Sequence, residues 1–189
     1  MIHVRLAAPR RAARITGMIL GAALLRTLLL PAGDLLSTMV FAACLFGITW
    51  FERPVAANES RWGRGRSLVA GLMVGAVLLA PVVSGSFSTR PLSAFVPWAA
   101  IAALVATLEE TSIRGVLYRR LAGEAGTVAA IVVGAAVFAL IHLPRYGLGA
   151  MPLDAAVGLA LGGLRALTGR VLPCAVAHTL ADWGAWFWA

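Results

Sequence analysis

Apolar residues occur along this chain in long runs separated by short polar stretches. Several of these runs reach or approach the roughly 17 to 25 residues that a membrane-spanning helix requires. The predicted spans are Ile15–Pro31, Leu35–Phe51, Ser67–Ser84, Ala94–Leu121, Thr127–Leu143, Ala150–Leu164 and Val171–Trp188. The pattern predicts an all-α fold, a polytopic transmembrane helical bundle of about seven spans, with six to eight admissible.

Composition supports the same fold class. Hydrophobic residues make up 60% of the 189 residues and charged residues 13%, against roughly 25% charged residues in an ordinary soluble domain. The longest polar stretch, residues 52–66, is only a loop. We therefore expect one integral membrane unit, with an N-terminal cytoplasmic segment and three accessory helices in residues 1–93 and a core of about four helices in residues 94–189.

The formal charge of +8 comes entirely from arginines, most of which stand at the ends of apolar runs. This arrangement indicates membrane topology rather than a nucleic-acid partner. A cytoplasmic N-terminus leaves only Arg90 and Arg145 on the outer side. The cytoplasmic arginines would be Arg5, Arg10, Arg11, Arg14, Arg53, Arg61, Arg64, Arg66, Arg119, Arg120, Arg165 and Arg170. We expect a protein integral to a plasma membrane of bacterial type, with a cytoplasmic N-terminus.

Small residues recur at a spacing of four in two of the predicted spans. Gly71 and Gly75 form one such pair, and Gly158 and Gly162 form another. Glycines at this spacing let two helix backbones approach closely. We interpret both pairs as helix-packing positions.

Ionisable residues inside apolar runs require an explanation, because each costs roughly 2.5 to 3.5 kcal/mol on insertion. Arg26 in the first span and Asp154 at the start of the sixth are weaker cases, since arginine can snorkel and Asp154 is expected at an interface. The main group lies in the fourth, fifth and seventh spans: Glu109, Glu110, Arg114, His142, His178 and Asp182. Such a cluster favours chemistry or ion passage over a buried polar lock between helices.

The spacing of these residues predicts which of them share a helix face and can pair. Side chains four residues apart share a helix face, so Glu110 and Arg114 can pair. Glu109, rotated by about 100° from its neighbour, is left as the unpaired carboxylate. On the last span His178 stands one turn before Asp182, which can orient or polarise it.

Depth in the bilayer must agree if these groups are to meet. Counted from a turn near Gly123 at 1.5 Å per residue, Glu109 lies about 20 Å and His142 about 27 Å along their helices, and His178 lies about 12 Å along its own. Helix tilts of about 20°, a helix break near Pro144 or Pro173, or a vestibule in which the bilayer is thinned could absorb this spread.

Hydrolysis of a peptide bond needs a base for water, a positively charged group and donors for the oxyanion. Burial raises the pKa of a carboxyl group toward neutrality and makes it a competent base. Two imidazoles can donate to the oxyanion or, with Glu109, bind a divalent metal such as Zn²⁺ through His142 and His178. Both options stay open, with or without metal. The chain lacks the H-E-x-x-H and G-x-S-x-G motifs and the paired aspartates of other intramembrane protease designs.

Three segments carry a resemblance to a known family. They are EETSIR at 109–114, FALIH at 138–142 and HTLAD at 178–182. They resemble the E-E-x-x-x-R, F-x-x-x-H and H-x-x-x-N/D motifs of the CPBP family, also called the CAAX-protease and bacteriocin-processing or ABI family. The resemblance covers the chain from about Ala94 to the C-terminus and implies that residues 94–189 form a catalytic core.

The resemblance implies an intramembrane endopeptidase, often described as a metalloprotease, although a metal-free mechanism is also argued. Its substrates would be membrane-associated peptides or proteins, either prenylated CAAX-type or bacteriocin-like. The implied catalytic residues are Glu109, His142, His178 and Asp182, with Glu110, Arg114 and Phe138 in support. Glu109 would activate water with the assistance of His142. His178 and Asp182 would hold or polarise the oxyanion.

Asp182 departs from the commoner asparagine of the third motif. Asparagine can donate a hydrogen bond to an oxyanion, whereas an ionised aspartate only accepts. Asp182 would therefore be protonated, bind metal or orient His178. Two alternatives to hydrolysis are kept: a catalytically inert membrane protein that binds peptides, as an immunity protein would, and a proton or ion carrier.

Overall fold

The computed structural model describes residues 8–52, 62–80 and 90–188. Within these ranges the chain forms helices and connecting turns and no strand, which confirms the all-α prediction. The helices are α1 (Ala8–Leu29), α2 (Asp34–Phe51), α3 (Arg64–Leu78), α4 (Leu92–Glu110), a π-helix (Thr111–Leu117), α5 (Tyr118–Tyr146), α6 (Met151–Thr168) and α7 (Leu172–Phe187). Short 3-10 turns, Leu30–Ala32 and Leu148–Ala150, join α1 to α2 and α5 to α6. Arg5, Arg53, Arg61 and the end of the third predicted span, 81–84, lie outside the described residues.

Four helical segments of the described chain are long and apolar enough to cross a membrane. They are Arg11–Ala32, Asp34–Phe51, Leu92–Tyr146 and Leu148–Thr168. The third of these contains two of the predicted spans, whereas α3 and α7 have only 15 and 16 residues. The structure thus supports a polytopic helical protein, and the count of seven spans stays a prediction.

The fourth and fifth predicted spans form a helical hairpin that bends at Gly126. This residue has φ 88° and ψ 168°, a conformation that glycine adopts without a Cβ penalty. Glu109 stands seventeen residues before the bend and His142 sixteen residues after it. The unequal depths predicted for these two residues are therefore wrong, because the count placed the turn at Gly123.

Both glycine pairs lie at close helix contacts, as predicted. A Cβ on Gly71 of α3 would lie 2.7 Å from the carbonyl oxygen of Pro173 on α7, and the glycine one turn later also meets α7. A Cβ on Gly158 of α6 would lie 2.7 Å from Cα of Ala135 on α5, and Gly162 also meets α5. These pairs therefore set the spacing of α3 against α7 and of α6 against α5.

Apolar side chains point both inward and outward. Ile15, Leu45 and Leu161 are fully buried between helices, whereas Phe51 and Val128 are 85% and 74% exposed. Large exposed apolar side chains are what a lipid-facing surface presents. The ionisable cluster lies on the inner side of this arrangement, where Glu110 is fully buried and Arg114 is 1% exposed.

Candidate active site

The first motif lies where α4 passes into the π-helix. Helix α4 ends at Glu110, and the seven residues from Thr111 to Leu117 continue it with the wider π-helical winding. Single π-turns inside α-helices often occur at functional sites. Here the change of winding follows directly after Glu109 and Glu110, both of which are buried.

Arg114 anchors the π-helix to two neighbouring helices. Its Nη1 donates to Oε1 of Glu110 at 2.9 Å, which confirms the predicted pair, and its Nη2 donates to the carbonyl oxygen of Gly158 at 3.1 Å. The guanidinium also lies over the ring of Phe138, 4.7 Å from its centroid. A buried charge requires such partners. Glu110 and Arg114 therefore compensate each other inside the bundle.

A backbone carbonyl orients the ring of His142. Its Nδ1 lies 2.8 Å from the carbonyl oxygen of Phe138, one turn earlier. A carbonyl oxygen only accepts, so Nδ1 carries the proton and Nε2 of the neutral ring has a free lone pair. That Nε2 faces Oε2 of Glu109 at 3.9 Å. The F-x-x-x-H spacing thus fixes the tautomer as well as the position of the imidazole.

His178 is held by Glu110 rather than by Asp182. Its Nδ1 lies 3.1 Å from Oε1 of Glu110, a carboxylate that already accepts from Arg114. Its Nε2 lies 3.7 Å from Oδ1 of Asp182, too far for a direct hydrogen bond. In this structure the hydrogen bond that orients the His178 ring therefore involves Glu110, and Asp182 makes no direct one. Only the fold reveals this contact, because the two residues are 68 positions apart.

Glu109, His142 and His178 offer ligand atoms that all lie within 4.8 Å of one another. Nε2 of His178 is 3.8 Å and Nε2 of His142 is 3.9 Å from the same Oε2 of Glu109. Polar atoms at this separation can be bridged by a water molecule. Two imidazole nitrogens and one carboxylate oxygen are also the donor set of His₂Glu zinc sites. The donor chemistry therefore fits a divalent cation as well as a water.

The cluster forms part of the wall of a cavity of about 460 Å³, a volume within the roughly 300 to 1,000 Å³ typical of ligand sites. Asp182 lines the same cavity. Much of the remaining wall is apolar, and Trp98 packs on Trp186 there with ring centroids 4.8 Å apart. The site thus combines a few convergent polar groups with an apolar wall.

Two residues that the sequence indicated only as weaker candidates for the intramembrane ionisable cluster belong to this region. Arg26 lines the cavity, although the expectation was that it would snorkel to the membrane surface. Oδ2 of Asp154 is buried and makes no hydrogen bond to the described residues, and the carboxylate interacts electrostatically with His142 and His178. Their positions within apolar runs were the only sign in the sequence that they belong to the site. The fold was needed to show that they lie near the histidines and the cavity.

Comparisons with known proteins bear on the segment that holds these residues. Residues 91–184 match the family model Rce1-like, described as Type II CAAX prenyl endopeptidase Rce1-like. All three motifs fall inside the matched segment. No curated protein and no solved structure matches the chain. Residues 91–184 therefore form an Rce1-like type II CAAX prenyl endopeptidase domain, in agreement with the resemblance of the chain to the CPBP family.

Proposed function

We propose that this protein is an intramembrane endopeptidase that hydrolyses a peptide bond with a water molecule activated by Glu109. The observation that carries the proposal is the convergence of two imidazole Nε2 atoms on one carboxylate oxygen of Glu109, at 3.8 and 3.9 Å, in the wall of a cavity. A buried polar lock would need no cavity. The family match supports protease chemistry.

Water activation uses Glu109 and His142. Both the carboxylate oxygen and the bare Nε2 accept hydrogen bonds, so one water can donate to each of them. Glu109 takes a proton as the water oxygen attacks the carbonyl carbon of the scissile bond. The same carboxyl group then returns the proton to the amide nitrogen as the C–N bond breaks. The products are a new carboxyl terminus and a new amine.

Oxyanion stabilisation is assigned to His178. Its Nδ1 is engaged by Glu110, so its Nε2 can donate only when the ring carries both protons. Three carboxylates surround this ring, and their negative charge favours the imidazolium: Glu110 at 3.1 Å, Asp182 at 3.7 Å and Glu109 at 3.8 Å. Asp182 then acts as a counter-charge to His178, which explains how an aspartate can replace asparagine here.

A divalent cation such as Zn²⁺ would be held by Glu109, His142 and His178, whose ligand atoms meet the requirements of donor type and proximity. When bound, such a cation polarises a carbonyl oxygen and acidifies a water molecule. The carbonyl of Phe138 and the carboxylate of Glu110 orient the two imidazoles through Nδ1. Such outer hydrogen bonds fix the direction of Nε2, which is needed both with and without a metal.

The substrate class is proposed to be a membrane-associated peptide or protein, prenylated and of CAAX type or bacteriocin-like. The apolar and aromatic cavity wall supports a hydrophobic substrate.

We also propose seven spans, a division into accessory helices 1–93 and a catalytic core 94–189, and insertion in a bacterial plasma membrane with the N-terminus in the cytoplasm. This orientation places twelve of the sixteen arginines on the cytoplasmic side. Arginines are enriched on that side of membrane proteins, which supports the assignment.

Glu109→Gln tests the proposed hydrolysis, with Glu124→Gln as the matched control because Glu124 lies outside the cavity lining. Membrane peptides from cells with each form should be compared by mass spectrometry. We expect substrate fragments to disappear in Glu109→Gln and to persist in the control, while thermal unfolding of both purified variants stays unchanged. Fragments that persist in folded Glu109→Gln would instead indicate a binding role. Proton flux into vesicles that is lost in Glu109→Gln would indicate a carrier.

A further inference from the structure

Arg26 places a positive charge in the wall of the cavity that also contains Glu109. It lies in the last turns of α1, outside the segment 91–184 that matches the family model. A charged side chain within an apolar span is costly unless it has a partner or a function. The partners of Arg26 are therefore informative.

The guanidinium of Arg26 is positioned by two side chains of α2. Its Nη2 donates to Oγ1 of Thr38 at 3.2 Å, and its Cζ lies 5.2 Å from the centroid of the Phe41 ring. Phe41 is 1% exposed and thus a fixed platform. Neither partner is charged. Arginine has five N–H donors, so this positioning leaves donors of Arg26 for a further acceptor.

The other arginines near the site already have acidic partners. Arg145 donates to both carboxylate oxygens of Asp34 at 2.7 and 3.3 Å, and Arg114 is paired with Glu110. Within the described part of the chain, Arg26 forms an ion pair with none of the acidic residues, including Asp34, which lines the same cavity. Of the two arginines that line the cavity, Arg26 is thus the one that forms no ion pair among the described residues.

We propose that Arg26 binds the C-terminal carboxylate of the substrate peptide. This inference rests on the proposed function, because a cavity that holds both Glu109 and Arg26 would place the scissile bond a few residues before the terminus. Arginine and carboxylate form charge-assisted, often bidentate, hydrogen bonds. The α1–α2 pair thereby sets the specificity of a reaction whose chemistry lies on α4, α5 and α7.

Paired peptides test this assignment on the full chain in lipid nanodiscs. The probes are an internally quenched farnesylated peptide that ends in a CAAX sequence and the same peptide with a C-terminal amide. We expect the wild type to cleave the free acid with a kcat/KM about 10- to 100-fold above that of the amide. Arg26→Gln should lose this preference by raising KM for the acid alone, and Arg26→Lys should keep part of it. Arg66→Gln, at an arginine outside the cavity lining, should behave as wild type.

Binding separates this proposal from the proposed hydrolysis. The same two peptides should be titrated by fluorescence anisotropy onto Glu109→Gln and onto Glu109→Gln with Arg26→Gln. A preference for the acid that disappears with Arg26 supports the carboxylate site, even if the wild type cleaves neither peptide. Equal binding of acid and amide to both proteins overturns it. A loss on Arg26→Gln that affects both peptides alike, and only in nanodiscs with anionic phosphatidylglycerol, also overturns it and assigns Arg26 to a lipid phosphate.

Discussion

Nε2 of His142 lies 3.9 Å from Oε2 of Glu109 because the helical hairpin that carries them bends at Gly126, almost midway between the two residues. The bend brings both to the same level of the bundle. His178 then reaches the same carboxylate from α7, at 3.8 Å. The pairing of Glu109 with His142 is thus a consequence of hairpin geometry, whereas the position of His178 depends on how α7 packs against α4.

His142→Gln should lower kcat by about 10²- to 10⁴-fold, the contribution typical of a group that assists proton transfer. A glutamine amide cannot place a bare ring nitrogen opposite Glu109. Initial rates on the quenched peptide would measure the change, and near-wild-type thermal unfolding would show that the fold survives. Rates within about threefold of the wild type would remove His142 from the mechanism.

Glu110→Gln should destabilise the protein by about 3 to 5 kcal/mol, because it leaves the buried charge of Arg114 without its carboxylate. It also weakens the hydrogen bond that holds His178. Glu109→Gln is the matched control, since Glu109 is also buried but forms no ion pair with an arginine among the described residues. Denaturation in mild detergent should separate the two variants. Equal stability of the two would argue against a compensating role for Glu110.

Gly126→Ala should cost about 1 to 3 kcal/mol, because the φ of 88° and ψ of 168° at this position lie in a region that essentially only glycine adopts. Space is not the reason, since a Cβ at this position would meet nothing within 4 Å. Gly123→Ala is the control: its surroundings are equally open, it has no positive φ, and an alanine within a helix is neutral or stabilising. Chemical unfolding would give both values. A neutral Gly126→Ala would mean that the hairpin does not depend on this backbone conformation.

Gly158→Ala should destabilise the protein by about 1 to 3 kcal/mol through overpacking. The added Cβ would lie 2.7 Å from Cα of Ala135, which is backbone and cannot rotate away. Separation of α5 from α6 should also lower activity, since the Gly158 carbonyl accepts from Arg114. Gly163→Ala, with open space around its Cβ, should change neither quantity. Melting curves and peptide cleavage rates, measured together, test both effects.

Much of the helical fold could be predicted from the sequence because the physics involved is local. The length and apolarity of each run indicate a helix for the bilayer, and the spacing of Glu110 and Arg114 places them on one face. The spacing of Gly71 and Gly75 likewise predicts a close helix contact. These inferences need only the period of a helix and the cost of charge in hydrocarbon.

The tertiary structure alone decided which helices share a level and which side chains meet across them. A shift of the turn from Gly123 to Gly126 changes the depth of two helices in opposite directions, and a local pattern cannot resolve it. Contacts between distant segments followed: Glu110 holds His178, and Arg26 faces the cavity instead of the membrane surface. Helix periodicity states which side chains share a face, but packing determines what that face meets.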